Sequence, residues 1–245
     1  MLTSGRVRMW SNRLAYMTAS LVTSVFQYRV FSHATARQMR FDLVRMATRA
    51  RGRRIAAVPA SPRLHIGAGH RRVPGWVNAD LISEEAPIDL AAPLPWRDGV
   101  FEAIVGQHVI EHLQLEQQVL PVLRELHRVA RPGAEIWLST PDMEKVCRDY
   151  LQTGGQGLID SWRARNPTKA SPVAQFPASH MINRVFHQSG EHKNLFDFDL
   201  LRWTLEHTGF ASCERADESA FLARFPAFPR RGDDFHTLYV RALKP

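Results

Sequence analysis

Between residues 63 and 113, three short apolar runs each end in small or polar residues able to do chemistry. The first ends in Gly67-Ala68-Gly69, where missing Cβ atoms let backbone N–H groups approach a charged ligand closely. The second ends in Asp80, whose carboxylate at a strand end can accept both hydroxyls of a ribose; its alternative role is a helix cap or turn. Asp89-Leu90 offers a third contact, near an adenine, or else a solvated loop acid. The third run leads into His108-Val109-Ile110-Glu111-His112, imidazoles and a carboxylate suited to acid–base chemistry. The same string reads literally as H-x-x-E-H, which can hold zinc with the glutamate as base. The three runs have the spacing of a nucleoside-cofactor site.

These residues need a scaffold of strand ends. Apolar patterning predicts strands near 63 to 66, 76 to 80, 101 to 106 and 134 to 140. An amphipathic helix over about 115 to 130 buries Leu115, Val119, Val122, Leu126 and Val129, and Pro121 should kink it or mark a late start. Arg131-Pro132-Gly133 should stop it and turn the chain. A further helix runs from Leu200 to Thr208-Gly209-Phe210, and residues 237 to 243 form a last strand. The expected architecture is a Rossmann-like, doubly wound α/β sheet, mostly parallel with an antiparallel last strand, behind a basic N-terminal helical extension. Residues 1–62 are read as that extension with its linker, Val58-Pro59-Ala60-Ser61-Pro62, and 63–245 as the catalytic domain. Residues 143–196 are irregular, with Gly154-Gly155, three prolines and several histidines, and are expected to form a substrate or lid insertion.

Charge is unevenly divided over the 245 residues. The net +8 combines a segment 1–63 that carries twelve arginines and one acid, Asp42, for +11, with a remainder at −3. A nucleic-acid substrate is not expected, because a phosphate groove needs its cations on the folded domain. Leu14, Met17, Leu21, Val25 and Phe26 recur at helical spacing, in a stretch too short to span a bilayer. Three roles stay open for residues 1–57: an arm packed on the domain or on a second copy in a homodimer, an amphipathic helix on an anionic membrane surface, or an organelle transit peptide. Cys147 and Cys213 are too isolated for a disulfide framework or zinc knuckle, which favours a reducing, cytoplasmic setting, either free or peripheral to the inner face of a membrane.

The chain resembles a class I S-adenosylmethionine-dependent methyltransferase of the type 11 group, particularly the branch found near glycan and sugar biosynthesis. The resemblance rests on Leu64-His65-Ile66-Gly67-Ala68-Gly69, Pro74-Gly75-Trp76-Val77-Asn78-Ala79-Asp80-Leu81, Pro93-Leu94-Pro95-Trp96 with Asp98 and Phe101, and His108 through Leu113. It continues through Arg131-Pro132-Gly133-Ala134, Thr140-Pro141-Asp142, His192, the helix ending in Gly-Phe and the last strand. It implies S-adenosyl-L-methionine as cofactor and a small-molecule or glycan-type hydroxyl as methyl acceptor. The methionine end would lie at His65, Gly67, Ala68 and Gly69, the ribose on Asp80 beside Leu81, the adenine beside Asp89 and Leu90, and the methyl group near Gln107 and His108. His108 is the first choice of base, with Glu111, His112, His187 and His192 as further candidates. No metal is expected: the resemblance accounts for Glu111-His112, and a third ligand such as Glu191 would have to come from the irregular region. Three departures stand out. His65 replaces the usual acid or amide, Arg71 replaces the third glycine, and Gly69 to Asp80 leaves little room for a first helix. With Glu102 in place of the usual Asp, they motivate the alternative of a degenerate cofactor-binding fold serving as an interaction module.

Overall fold

The structure, a computed structural model, describes residues 32–245. The helix-spaced residues Leu14 to Phe26 lie outside the described residues. Seven strands form one sheet: β1 (Arg63–Ile66), β2 (Val77–Asp80), β3 (Ala86–Pro87), β4 (Phe101–Gln107), β5 (Ala130–Pro141), β6 (Ala211–Ala216) and β7 (Thr237–Leu243). The order is β3-β2-β1-β4-β5-β7-β6, and β7 is antiparallel to both neighbours, as expected. From β1 the chain winds outward to β3, then returns to place β4 on the other side of β1. The C-terminal ends of β1 and β4 therefore flank the switch point where doubly wound sheets bind ligands.

The helices are α1 (His33–Gly52), α2 (Leu120–Val129), α3 (Met143–Thr153), α4 (Gln156–Arg165), α5 (His180–His187), α6 (Phe198–His207) and α7 (Glu218–Arg224). Pro121 stands in the first turn of α2, where its missing N–H has no intrahelical partner to lose; a π-turn over Leu115–Val119 precedes it. The α2 stripe Val122, Leu123, Leu126 and Val129 packs with Leu201 and Leu205 of α6 on Leu64, Ile66, Ile104, Ile136 and Leu138 of the sheet. Asp197 caps α6, its carboxylate accepting from Leu200 N at 2.8 Å.

The opposite face is built differently. The β1–β2 connection is too short for a crossover helix, and no helix lies in it. The face is closed by Phe221 of α7 with Phe225 and Phe228, which pack with Val73, Trp76, Ala103, Val105, Trp137 and Tyr239. Trp76 meets Phe225 and Phe228 edge-on at centroid distances of 5.2 and 4.9 Å. Residues contributed before the last strand thus stand where a first helix would.

Residues 143–196 are largely helical: α3, α4 and α5 share a small core of Val146, Leu158, Ile159, Val173 and Met181. Gly154 ends α3 in the left-handed conformation (φ 65°), and Gly155 follows at φ 96°. The segment returns to the sheet where Phe196 bridges Asp142, and where Lys193 N and Asn194 N both donate to Glu111 O.

The described part of the basic arm, α1, lies on the domain. Arg45 Nε and Arg49 Nε both bind Asp89 Oδ2, at 3.0 and 2.6 Å, and Thr48 Oγ1 donates to Leu81 O. At its other end Arg37 binds Glu191 and Ser189 O. No described helix is long and apolar enough to cross a membrane.

Candidate active site

The end of β1 supplies the glycine loop. Gly67 and Gly69 both have positive φ, 63° and 50°. They serve different ends. A Cβ on Gly67 would come within 2.1 Å of Val109 Cγ2, so this glycine lets the β1 and β4 ends pack together. A Cβ on Gly69 would meet nothing within 4 Å, so it opens space for a ligand. Ala68 between them is buried, and its N–H donates to Ala79 O at 3.2 Å.

Asp80, closing β2, accepts from Gly69 N at 3.0 Å and from Ile82 N at 3.1 Å. These bonds tie the glycine loop to the second strand and leave the remaining lone pairs of the carboxylate for a ligand. Leu81 follows with its carbonyl under Thr48, and Leu90 packs against the main core. Asp89 is buried beneath α1 in the double ion pair with Arg45 and Arg49. At the end of β4, Gln107 is buried and its Nε2 has no hydrogen-bond partner. A free amide donor, an open glycine and a strand-end carboxylate at one switch point fit a nucleoside cofactor with a charged amino-acid end.

His65 points elsewhere. Its Nδ1 lies 3.3 Å from Asn78 Oδ1, and its ring meets Phe228 edge-on at 4.9 Å. Burial brings its pKa down to about 4, so it is a neutral member of the aromatic face.

His108 has φ 55°, an uncommon conformation for a residue with a side chain, and it aims the ring between two acids. Nδ1 is 3.1 Å from Glu111 Oε1, and Nε2 is 3.1 Å from Asp233 Oδ2. Burial opposes charge on the ring, but the bonds to Asp233 and Glu111 outweigh it and raise the pKa. When the ring is protonated both nitrogens donate to these carboxylates, and it has no lone pair left to take a further proton. Asp233 also binds Arg231 Nε at 2.8 Å and accepts from Tyr239 Oη at 2.9 Å. Although burial disfavours its charged form, His108 and Arg231 hold Asp233 far below the ordinary carboxylate range.

Arg231, Asp233 and Tyr239 lie outside any motif in the sequence, where the charged run Arg230-Arg231-Gly232-Asp233-Asp234 before the last strand is their one signal. On the far side of Glu111 lie His112 and His192, whose rings meet edge-on at 4.9 Å. Burial lowers the His192 pKa and leaves that ring neutral near pH 7. His187, at the end of α5, holds His192 N through its carbonyl, and Glu191 is turned away to Arg37. The structure therefore brings His108, Glu111, His112 and His192 into one cluster.

Residues 43–138 match a family described as a methyltransferase domain. No curated protein matches the chain. Among solved structures, a protein from Bordetella parapertussis is similar at 14% identity, over 83% of this chain and 67% of that one, with a TM-score of 0.43. Phosphoethanolamine N-methyltransferase 2 of Haemonchus contortus, solved with S-adenosylhomocysteine and phosphomonomethylethanolamine, is similar at 11% identity, with a TM-score of 0.42. That similarity covers 82% of this chain but only 52% of the Haemonchus one, so the chain spans about half that protein's length. An S-adenosylmethionine-dependent methyltransferase of Methanosarcina mazei is similar at 14% identity, over 74% of this chain and 91% of that one, with a TM-score of 0.43. The 43–138 match, to a methyltransferase domain, runs from α1 through most of β5 and takes in the glycine loop, Asp80 and the His108–Glu111–His112 string.

Proposed function

We propose that this chain transfers a methyl group from S-adenosylmethionine to a hydroxyl of a small-molecule or glycan-type acceptor. The observation that carries it is the bond between Gly69 N and Asp80 at the ends of β1 and β2, with the unpartnered Gln107 amide at the end of the adjacent β4, all inside the matched 43–138 segment. When bound, S-adenosylmethionine supplies a methyl group on a positively charged sulfur. The chain's own task is alignment. Asp80 holds the Gly69 loop and receives ribose hydroxyls, and Gln107 Nε2 offers its N–H at the methionine end. An acceptor hydroxyl also needs somewhere for its proton to go. With His108 locked between Glu111 and Asp233, that task falls to His112 and His192, beside the free Glu111 Oε2.

Calorimetric titration with S-adenosylhomocysteine tests the cofactor half: saturable binding is expected, and no heat in the high micromolar range refutes it. Labelled methyl transfer to sugar hydroxyls compared with amines tests the acceptor half. Ether products support it, and methylated amines alone overturn it.

We also propose that residues 1–57 meet an anionic membrane surface. Met39, Leu43 and Met46, at helical spacing on α1, are exposed beside its arginines, as an interfacial helix requires. Removing residues 1–31 and neutralising the exposed arginines should abolish sedimentation with phosphatidylserine vesicles; unchanged sedimentation refutes this placement.

A further inference from the structure

Glu111, His112 and His192 each present a ligand atom within 4.8 Å of the other two. Each is prepared in a different way. Glu111 is fully buried; its Oε1 is held by His108, while its Oε2 is buried with no hydrogen-bond partner at all. A carboxylate oxygen left in this way is costly unless something positive meets it. His192 donates Nδ1–H to Val185 O at 2.6 Å, which fixes the tautomer and leaves the Nε2 lone pair free. Anchoring the second nitrogen on a backbone carbonyl is how ligating imidazoles are usually oriented. His112 lines a cavity of about 410 Å³ together with Phe41, Gln114, Gln117, Gln118 and Lys193. Lys193 does not fill the gap, because its Nζ donates to Gly190 O.

We propose that Glu111 Oε2, His112 and His192 Nε2 bind one divalent transition-metal ion of the zinc class, with its open position facing this cavity. Two imidazoles and one carboxylate select such an ion over magnesium or calcium, which take oxygen ligands. Bonds of about 2.0–2.2 Å to zinc require the donors to close on one another. His112 is half-buried, so its ring can turn toward Glu111 and His192 while Val185 keeps its hold on His192. His108, bridging Glu111 to Asp233, then acts as a positioning residue for the carboxylate ligand. Three protein ligands and one open place are the pattern of a reactive rather than a structural zinc. With the ion bound, His112 and His192 act as its ligands rather than as bases, and a hydroxyl bound there would lose its proton more readily to solvent, a clause that alone rests on the methyl-transfer reading.

The test uses the full chain, freed of metal with chelator and then dialysed. Titration with Zn²⁺ by calorimetry, and with Co²⁺ by visible absorption, should show one equivalent bound. His112→Ala and His192→Ala should each weaken binding at least tenfold and remove the cobalt ligand-field bands. His207→Ala, on an exposed ring stacked on Trp203, should bind as wild type. Circular dichroism of the two half-buried variants establishes that they fold, which the buried Glu111→Gln need not do. Less than stoichiometric zinc in the wild type, or wild-type affinity in His192→Ala, overturns the proposal. S-adenosylhomocysteine binding is measured separately, so failure of the metal site leaves the methyl-transfer reading standing, and the converse.

Discussion

His108 Nε2 and Asp233 Oδ2 are 3.1 Å apart although 125 positions separate them in the chain, and this contact joins the end of β4 to the loop that feeds β7. It couples the site to pH. A raised His108 pKa contributes stability that is full below its ordinary value of 6.5 and is lost as pH rises through the folded value. The depressed Asp233 contributes stability present above its ordinary 3.8 and lost as pH falls. Stability from the pair should therefore be greatest between those values and decline on both sides. Asp233→Asn should cost about 3 kcal/mol near pH 6, as loss of one partner of a buried pair does, and flatten the alkaline decline. Urea midpoints across pH check this; a mutant profile parallel to wild type contradicts it.

The two loop glycines should respond differently to alanine. Gly67→Ala forces a Cβ against Val109 Cγ2 and should destabilise by about 1–3 kcal/mol, partly recovered in Gly67→Ala/Val109→Ala. Gly69→Ala should cost only about 1 kcal/mol, for its left-handed backbone, yet reduce S-adenosylhomocysteine affinity about tenfold. Thermal melts and calorimetry separate the two effects, and Gly69→Ala with wild-type affinity would move the ligand elsewhere.

Asp80→Ala should weaken cofactor binding by about 1–3 kcal/mol, the scale of hydrogen bonds to a charged acceptor. Because Asp80 also accepts from Gly69 N, exchange of the Gly69 amide hydrogen should quicken in the same variant. Unchanged affinity would show that the ribose lies elsewhere.

Arg45 and Arg49 share one buried oxygen of Asp89, so their removal should be more than additive. Arg49, nearly half exposed, should cost under about 1 kcal/mol alone. The double alanine variant leaves the carboxylate buried without a cation and should cost about 3 kcal/mol, with faster hydrogen exchange across residues 33–52. Additive losses would show that Asp89 finds other partners.

Much of the sheet was legible because most of its strands are short, apolar and punctuated: β1 and β7 fall on the residues their patterning indicates, and Pro121 marks the start of α2, whereas Arg131-Pro132-Gly133, read as a turn, lies inside β5. The helices α3 to α5 were not. The Gly154-Gly155 pair and three prolines interrupt their periodicity, and their small core forms only among themselves. In the site, the residue types near Gly67, Asp80 and Glu111 could be read, because strand ends concentrate polar chemistry. What the histidines do could not. His65 belongs to the aromatic face, and His108 is fixed by Asp233, a partner that only tertiary structure brings within reach.

The aromatic block that closes one face of the sheet also sets an order of assembly. β1, β2 and β4 are made early on the ribosome, but Phe221, Phe225 and Phe228 arrive more than a hundred residues later. Until then Trp76, Val105 and Trp137 have water on one side, and the nascent sheet carries a wet apolar surface that invites misassembly. A chain ending at residue 217 should accordingly bind the dye ANS and lack fixed near-ultraviolet dichroism, where the full chain shows neither trait. Phe221, Phe225 and Phe228 act as a latch for the first strands, so this face of the sheet stays wet until they have been made.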